Sequence, residues 1–342
     1  MRRPLVSLIV PAYNEAETIE RNLGELHKYT LEHQEYAWEI IVVNDGSTDE
    51  TGSIARGFAG GRPTVRVLEH RVNFKLGQAL RYAFGVAKGD YVVTFDSDLS
   101  YSVDHIGLML AKLDSTDAKV VVASPYAEGG TTTNVPFVRR VMSRAANWFL
   151  SLAAKGDLTT LTGMVRAYDG VFLRSLNLKA MDAEINPEII YKAQLLRALI
   201  LEVPAHLDWT FHHTGGTRRQ GPFRVSRGVL SNALLAFVFR PFMFFVLPGL
   251  ILVGLTLIGL LTIGIRIGQE GSVAAAFSAY PMAFLATLLG AILGAQLVGM
   301  GVMAMQSKRY FEELFHLGTS VYREQRKLTG TTREGEIDQR LA

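Results

Sequence analysis

The chain has 342 residues, of which 49% are hydrophobic, and its formal net charge is +3. This length accommodates a catalytic domain of ordinary size together with an appendage. The chain contains no cysteine, which excludes disulfide bonds and thiolate metal sites and is consistent with a cytoplasmic domain.

The N-terminal residues resemble a signal peptide only superficially. The apolar run 5–10 is followed at once by polar residues, and it is too short for the hydrophobic core of a signal peptide. We therefore expect this run to form the first strand of a folded domain.

Residues 1–120 alternate between strand-like and helix-like segments. The predicted strands are Val6–Val10, Glu39–Asn44, Val65–Glu69 and Tyr91–Phe95. The predicted helices are Glu15–Leu31, Asp49–Phe58, Lys75–Lys88 and Val103–Leu113. This alternation predicts an α/β fold with a mostly parallel sheet.

Polar residues follow three of the predicted strands, in segments 11–15, 44–47 and 96–98. In open α/β sheets, ligands bind outside the carboxyl ends of the strands, so the three segments are expected to meet at one edge. Asp96 and Asp98 are one residue apart, and continued strand geometry would place them on the same face. Two such carboxylates suit a divalent cation that bridges the phosphates of a nucleotide. Neither a dinucleotide-binding glycine pattern nor a P-loop is present.

Two long uncharged stretches near the C-terminus predict membrane spans. Pro241–Ile265 has no charged residue, and a second uncharged stretch covers Gly271–Ser307. About 20 apolar residues suffice for a helix to cross a hydrocarbon core about 30 Å thick, and soluble core helices seldom stay apolar all round for so long. We predict spans at 241–265 and 279–305.

The basic residues near these spans predict their orientation. Positive residues flank both spans on the outer sides: Arg218, Arg219, Arg224, Arg227, Arg240, Lys308, Arg309, Arg323, Arg326 and Lys327. The connecting loop holds only Arg266 and Glu270 as charged residues. Because positive residues are retained in the cytoplasm, both termini are expected there. The same clustering favours a lipid bilayer with anionic headgroups as a partner and argues against nucleic acid.

These features predict five regions in chain order. A catalytic domain covers 1–220, a juxtamembrane amphipathic segment 221–240, and the two spans 241–265 and 279–305. A cytoplasmic C-terminal tail covers 306–342.

Five segments resemble glycosyltransferases of family 2, which have the GT-A fold, and within them the polyprenyl-phosphate branch related to dolichol-phosphate mannose synthases. The matching segments are 6–17 (VSLIVPAYNEAE), 40–49 (IIVVNDGSTD), 73–79, 89–90 and 95–99 (FDSDL). The resemblance covers about residues 5–215, and two C-terminal spans also occur in that branch. It implies a Rossmann-like GT-A catalytic domain with a mostly parallel mixed sheet, followed by two transmembrane helices.

The resemblance also implies a role for each matching site residue. Pro11, Ala12, Tyr13 and Glu15 would border the nucleotide. Asp45 would accept a hydrogen bond from the base, and Asp96 would contact the base or ribose. Asp98, with Asp96 beside it, would bind Mg²⁺ or Mn²⁺ on the diphosphate, since carboxylates are suitable ligands for these ions.

A second cluster resembles the branch's segment for the lipid-phosphate acceptor. Arg140, Arg144 and Asn147 share one face at helical spacing, with Ser143 beside them. Arginine binds phosphate well, so Arg140, Ser143 and Arg144 are candidate catalytic residues together with Asp98. A solvated basic helix face is the alternative.

Several other residues have two possible roles. Asp49 suits the start of a helix better than a ligand site, and Lys75 is either a solvated charge or a diphosphate contact. Residues 159–168 resemble the segment that closes the sugar pocket, with one extra residue between Gly163 and Arg166. Glu188 is either a sugar contact or a first-turn helix residue.

The branch's Arg-x-x-Gly-x-Ser segment is missing, and the glutamine usual two residues after Asp98 is replaced by Ser100. His213, Arg218 and Arg219 are candidates to replace the missing arginine.

The resulting hypothesis is an inverting transfer of a hexose from a nucleotide sugar to a polyprenyl monophosphate. GDP-mannose and UDP-glucose are the leading donors, and a homo-oligomer is possible. A processive polysaccharide synthase would usually carry Gln-x-x-Arg-Trp, whereas Arg197 here is followed by Ala198. Transfer to another lipid or protein acceptor and a non-catalytic scaffold or flippase subunit are the remaining alternatives.

Overall fold

The computed structural model describes residues 2–137, 140–144, 147, 158–210 and 241–328. The chain divides into two compact units. The first, called the sheet unit, comprises Met1–Ala233 and Phe315–Ala342, and the second, called the helical unit, comprises Leu234–Leu314.

A seven-stranded sheet with the order β3-β2-β1-β4-β7-β5-β8 forms the centre of the sheet unit. Two short strands, β6 and β9, form a separate parallel pair. The strands are β1 Leu5–Ala12, β2 Ala37–Asp45, β3 Val65–His70, β4 Tyr91–Thr94, β5 Val120–Ser124, β6 Thr131–Thr133, β7 Arg166–Asp169, β8 Ile200–Pro204 and β9 His206–Asp208. β7 is antiparallel to β4 and to β5, and the other pairings in the large sheet are parallel.

The central strands are continuous apolar runs because helices cover both faces of the sheet. Leu8, Ile9 and Val10 of β1 and Ile40 and Ile41 of β2 are fully buried. Such runs are typical of parallel strands buried on both faces. The expected mostly parallel mixed sheet is therefore confirmed.

Helices connect successive strands of the sheet unit. They are α1 Ile19–Glu32, α2 Thr51–Ala59, α3 Leu76–Val86, α4 Asp104–Asp114, α5 Gly170–Ser175 and α6 Ile185–Leu195. All the strands and helices predicted for residues 1–120 are present, with ends shifted by a few residues. Their apolar periodicity was sufficient to place them.

The two aspartates after β4 do not continue the strand as expected. β4 ends at Thr94, Phe95 donates one more ladder hydrogen bond to Ile9 (2.9 Å), and Leu99 adopts a left-handed φ of 52°. Asp96 and Asp98 are therefore positioned by a turn rather than by the alternation of a strand.

The small β6–β9 pair, which we call the strap, is joined to this turn. Asp208 donates its backbone N–H to the carbonyl of Ser100 (2.8 Å), and Leu207 forms an antiparallel bridge with Tyr101. His105 of α4 fixes the strap further, because its Nε2 accepts from the N–H of His206 (3.0 Å). The strap thus holds the loop that carries Asp98.

The helical unit contains two helices that are long and apolar enough to cross a membrane, Phe242–Glu270 and Pro281–Phe315. Their apolar windows are only 17% and 11% buried, so they are not core helices of a soluble protein. A π-helical turn, Phe242–Val246, leads into α7, Leu247–Glu270. A short helix, α8 (Val273–Ala279), precedes α9, Pro281–Leu328. The structure thus supports the predicted membrane association.

Small residues allow α7 and α9 to approach each other closely. A Cβ on Gly249 would lie 2.9 Å from the backbone nitrogen of Val298, and one on Gly294 would lie 3.2 Å from that of Val253. Glycine at such contacts is typical of helix pairs in membranes.

Candidate active site

The loops after β1 and β2 are joined by hydrogen bonds. Asn14 donates its N–H to Ser47 Oγ (3.1 Å), and its Oδ1 accepts from the N–H of Thr48 (2.9 Å). Glu15 donates its N–H to Thr51 Oγ1 (2.7 Å). These contacts place the two polar segments at one edge of the sheet, as their position after parallel strands predicted.

The residues expected to border a nucleotide lie along this edge. Pro11 and Ala12 end β1, and Ala12 is buried. The Tyr13 side chain is 43% exposed, which leaves its ring accessible to a ligand. Glu15 contacts the β2 loop through its backbone and accepts a weak hydrogen bond from Thr18.

Asp49 joins the same two loops and therefore has the predicted structural role at the start of a helix. Its carboxylate accepts from the N–H groups of Thr51 (3.0 Å) and Ala16 (3.2 Å). Partial burial opposes ionisation, but the hydrogen bonds from Thr51 and Ala16 outweigh it and lower the pKa of Asp49.

Asp45 is buried at the end of β2 and is held by the segment after β3. Its Oδ1 accepts from the N–H of Phe74 (3.0 Å) and lies 2.7 Å from His70 Nδ1. His70 in turn stacks on Tyr82, with ring centroids 5.4 Å apart. The sequence reasoning missed His70, although its position at the carboxyl end of β3 placed it at the correct edge.

The turn that carries the other two aspartates is anchored from both sides. Asn22 of α1 donates to the carbonyl of Ser97 (2.7 Å), and Asp98 Oδ1 accepts from the N–H of Ser100 (3.0 Å). Burial, and then the charge of Asp98, raises the pKa of Asp96 to about 8. The two carboxylates are thus close enough to repel each other.

This pair suits a divalent cation that is completed by a substrate. The described residues contain no group of three or more histidine or acidic side chains that could hold a metal ion. Mg²⁺ typically binds through one or two protein carboxylates plus substrate phosphates and water. Asp96 and Asp98 fit that mode, and a cation there would relieve their repulsion.

The basic segment, residues 137–147, is helical where it is described. The Arg144 guanidinium lies 5.5 Å from the ring centroid of Tyr126, and Arg140 and Ser143 are half-buried. Asn147, in contrast, is 3% exposed and accepts from the N–H of Leu161 (2.9 Å). That Asn147 shares a helix face with the arginines stays a prediction, and the structure adds that its amide oxygen is used inside the fold.

Glu188 and Arg166 are also used by the fold. Glu188 accepts from the N–H groups of Lys179 (2.9 Å) and Ala180 (2.8 Å) and pairs with Lys192 (2.5 Å). Its carboxylate thus fastens the chain before α6 instead of standing open to a sugar. Arg166 is fully buried and donates to the carbonyls of Asn186 (2.7 Å) and Leu161 (2.6 Å). Burial lowers the pKa of Arg166.

Lys75 pairs with Asp182 at 3.2 Å, and both side chains are partly exposed. The ion pair does not decide between the two predicted roles of Lys75, a solvated charge and a diphosphate contact, and both stay predictions. The candidates to replace the missing arginine, His213, Arg218 and Arg219, lie outside the described residues.

Glu202 is a further carboxylate whose role the sequence did not reveal. It accepts from the N–H groups of Thr159 (3.0 Å) and Thr160 (2.7 Å). Ser124, at the end of β5, hydrogen-bonds both threonine hydroxyls. The chain before β7 is thereby held at the same edge as the aspartates.

A polar cavity of about 460 Å³ lies beside this edge, between α2 and the end of β3. Its lining residues are Asn44, Ser47, Asp49, Gly52, Ser53, Arg56, Glu69, His70 and Arg71. None of the candidate metal ligands lines it, so it is separate from the aspartate turn.

The fold resembles that of a glucosyl-3-phosphoglycerate synthase from Mycobacterium tuberculosis solved with Mn²⁺, UDP and phosphoglyceric acid. The TM-score is 0.51 at 20% sequence identity, and the match covers 68% of this chain and 78% of that one. This similarity supports the fold, and the expected GT-A architecture is confirmed.

Sequence comparison identifies nearer relatives. The chain is 28% identical over 236 residues to an undecaprenyl-phosphate mannosyltransferase of Micrococcus luteus, covering 67% of this chain and 91% of that protein. It is 31% identical over 221 residues to a polyprenol monophosphomannose synthase of Mycolicibacterium smegmatis, covering 63% and 80%. Residues 7–176 match the model of glycosyl transferase family 2. The chain therefore belongs to glycosyl transferase family 2, in the branch that contains these two relatives.

Proposed function

We propose that the protein transfers one hexose, with inversion, from a nucleoside diphosphate sugar to a polyprenyl monophosphate at the cytoplasmic face of a membrane. The observation that carries this proposal is that Asp45 ends β2 and that Asp96 and Asp98 follow β4, two parallel strands whose carboxyl ends lie at the same edge of the sheet. The mannosyl transfer named in both relatives supports GDP-mannose as the first donor to test, ahead of UDP-glucose.

The nucleotide sugar is held at the loops that follow β1, β2 and β4. Asp45 is oriented by Phe74 and His70 to accept from the base, and the ring of Tyr13 borders the nucleotide. Asp98, with Asp96, would hold Mg²⁺ or Mn²⁺ on the diphosphate. When bound, the cation neutralises charge on the leaving diphosphate.

The acceptor phosphate is the nucleophile. Its second pKa is near 6, so it is largely dianionic at neutral pH and needs no carboxylate base. One of its oxygens bonds to the anomeric carbon while the bond from that carbon to the diphosphate oxygen breaks. Arg140, Ser143 and Arg144 orient the acceptor, and the protein contributes alignment and charge neutralisation.

The helical unit provides the reason for a lipid acceptor. Two apolar helices, Phe242–Glu270 and Pro281–Phe315, would retain the enzyme in the bilayer where the phosphate of a polyprenol is exposed. The remaining proposed partners are a bilayer with anionic lipids and a second copy of the chain in a homo-oligomer.

The test uses the full chain in detergent with a polyprenyl phosphate, GDP-mannose or UDP-glucose, and Mg²⁺, Mn²⁺ or a chelator. We expect a lipid-linked hexose of inverted configuration, formed only when a divalent cation is present. Absence of any lipid product across the donor panel, from folded protein, would overturn the proposal.

Replacing Asp98 tests the cation site within this function. Asp98→Ala is expected to lower the transfer rate by about 10² or more, because a charge-stabilising contact at the leaving group is lost. Asp117→Ala removes an exposed carboxylate after α4 and serves as the matched control with unchanged activity. Full activity of Asp98→Ala at an unchanged melting temperature would exclude the cation role.

A further inference from the structure

Residues 158–165, called here the Thr162 loop, lie where β4 and β5 end. Thr94 of β4 donates its hydroxyl to the carbonyl of Met164 (2.5 Å). Ser124 of β5 hydrogen-bonds the hydroxyl of Thr160 (2.6 Å). Asp96 follows β4 by two residues, so the Thr162 loop and the aspartate turn share one edge of the sheet.

Two asparagines hold Thr162 through one half of each amide. Asn147 Oδ1 accepts from the N–H of Leu161 (2.9 Å) and from the N–H of Thr162 (3.3 Å). Asn186 donates its Nδ2 to the carbonyl of Thr162 (3.3 Å). Because a backbone N–H only donates and a carbonyl only accepts, these bonds fix the orientation of both side chains.

The other half of each amide is buried and unsatisfied. Asn147 Nδ2 and Asn186 Oδ1 have no hydrogen-bond partner among the described residues, and the two residues are 3% and 2% exposed. One is a donor and the other an acceptor. Buried polar atoms of this kind are rare in folded proteins and require a partner.

The surroundings favour an uncharged partner that can both donate and accept. Both asparagines are neutral, and the Nη atoms of the neighbouring Arg166 already donate to the carbonyls of Leu161 and Asn186. The third guanidinium nitrogen, Arg166 Nε, is buried without a partner as well, but a phosphate dianion has no hydrogen to donate to Asn186 Oδ1. A hydroxyl group accepts from an amide N–H and donates to an amide oxygen, so it matches both atoms.

We propose that Asn147 Nδ2 and Asn186 Oδ1 bind hydroxyl groups of the transferred hexose and thereby determine which sugar is accepted. This assignment rests on the proposed function, because it requires a nucleotide sugar at Asp98. It gives Asn147 a binding role that differs from that of Arg140 and Arg144. A site built to hydrogen-bond a substrate hydroxyl strongly rejects an analogue that lacks it.

Two isosteric substitutions separate this role from a structural one. Asn147→Asp keeps an oxygen for the amides of Leu161 and Thr162 but replaces the unsatisfied Nδ2 donor. Asn186→Asp keeps an acceptor oxygen at the unsatisfied position and removes only the bond to the Thr162 carbonyl. Both variants add the same carboxyl group beside the same loop, so each controls for the charge introduced by the other.

The measurement is the Kd of GDP-mannose or UDP-glucose and of the matching free nucleoside diphosphate, made with the full chain in detergent. We expect Asn147→Asp to weaken nucleotide-sugar binding by about tenfold, and Asn186→Asp to weaken it less. Binding of the free diphosphate should stay within about twofold of wild type, because it lacks the hexose. Equal losses for the sugar and the free diphosphate, or equal effects of the two variants, would overturn the proposal in favour of a buried water or a purely structural clamp.

Nucleotide sugars lacking one hydroxyl complete the test. For one such analogue, binding to the wild type should be weakened as much as Asn147→Asp weakens binding of the full sugar. When this analogue is combined with Asn147→Asp, the two losses should not add. If Asn147→Asp does not fold, the near-isosteric Asn186→Leu takes its place in this cycle, and additive losses there contradict the assignment. These readouts measure donor binding, so a failure of polyprenyl phosphate as acceptor would overturn the proposed function and leave this inference standing.

Discussion

Backbone strain is concentrated at the edge that carries the candidate active site. Asn14, Lys75 and Leu99 adopt positive φ values of 56°, 74° and 52°, and each lies in a loop that follows a strand of the sheet. Asparagine tolerates this conformation, whereas lysine and leucine do not. Lys75 has a ψ of 166°, in a region that is populated almost only by glycine and costs about 1–3 kcal/mol for other residues.

Replacing Lys75 should therefore stabilise the protein. We expect Lys75→Gly to raise the free energy of unfolding by about 1 kcal/mol, after allowing for the greater freedom of glycine in the unfolded chain and the lost ion pair. Lys75→Ala loses the same pair with Asp182 but keeps the strain, so it should give no gain. Thermal unfolding of both variants in detergent is the measurement, and equal stabilities would contradict the strain argument.

Some residues of the candidate site were predictable from the sequence, and others were not. Asp45, Asp96 and Asp98 were predictable because they directly follow strands of a parallel sheet. The partners that orient them were not: His70 is 25 residues from Asp45, and Asn22 is 75 residues from Ser97. Such contacts depend on how helices and strands pack, which local patterns do not encode.

Among the elements, those of residues 1–120 were predictable and β7 was not. Apolar periodicity located the first four strands and helices, and right-handed parallel crossovers follow from their alternation. The antiparallel placement of β7 between β4 and β5 could not be predicted from local sequence, because the residue pattern of a buried strand does not depend on its direction in the sheet. The strap strands, β6 and β9, were not predictable either, because three residues are too few to show the periodicity of a strand.

The α7–α9 pair gives a prediction at this scale. Gly294→Leu should lower the melting temperature in detergent, because its side chain would collide with Val253 and with the backbone of Gly249, at a cost of about 1–3 kcal/mol for overpacking. Gly299→Leu introduces the same side chain on α9, where a Cβ meets nothing within 4 Å. It should be neutral or stabilising, since leucine is the better helix former. Equal destabilisation by both substitutions would show that the close contact is not specific.

For the whole molecule, the expected topology places both termini and the catalytic domain in the cytoplasm. The described helices supply the two spans, and the orientation is predicted from the basic residues outside them. Because the chain lacks cysteine, a single introduced thiol reports its own location without background.

We expect Val273→Cys, at an exposed position in the connection between the spans, to react with a membrane-impermeant thiol reagent in intact cells. Asp117→Cys, on the surface of the sheet unit, should react only after the membrane is opened. In inverted vesicles the pattern should reverse. Labelling of Asp117→Cys in intact cells would place the catalytic domain on the opposite side.

The reversed direction of β7 has a consequence for how enzymes of this architecture diversify. Because β7 runs against its neighbours, the chain that precedes it, rather than the chain that follows it, reaches the ligand-binding edge. An insertion or deletion in that preceding segment would change the chain at this edge while the strand pairings of the sheet are preserved. If the segment before β7 closes the sugar pocket, as the family resemblance implies, a change in its length would alter sugar selectivity without changing the donor loops or the strands that support them.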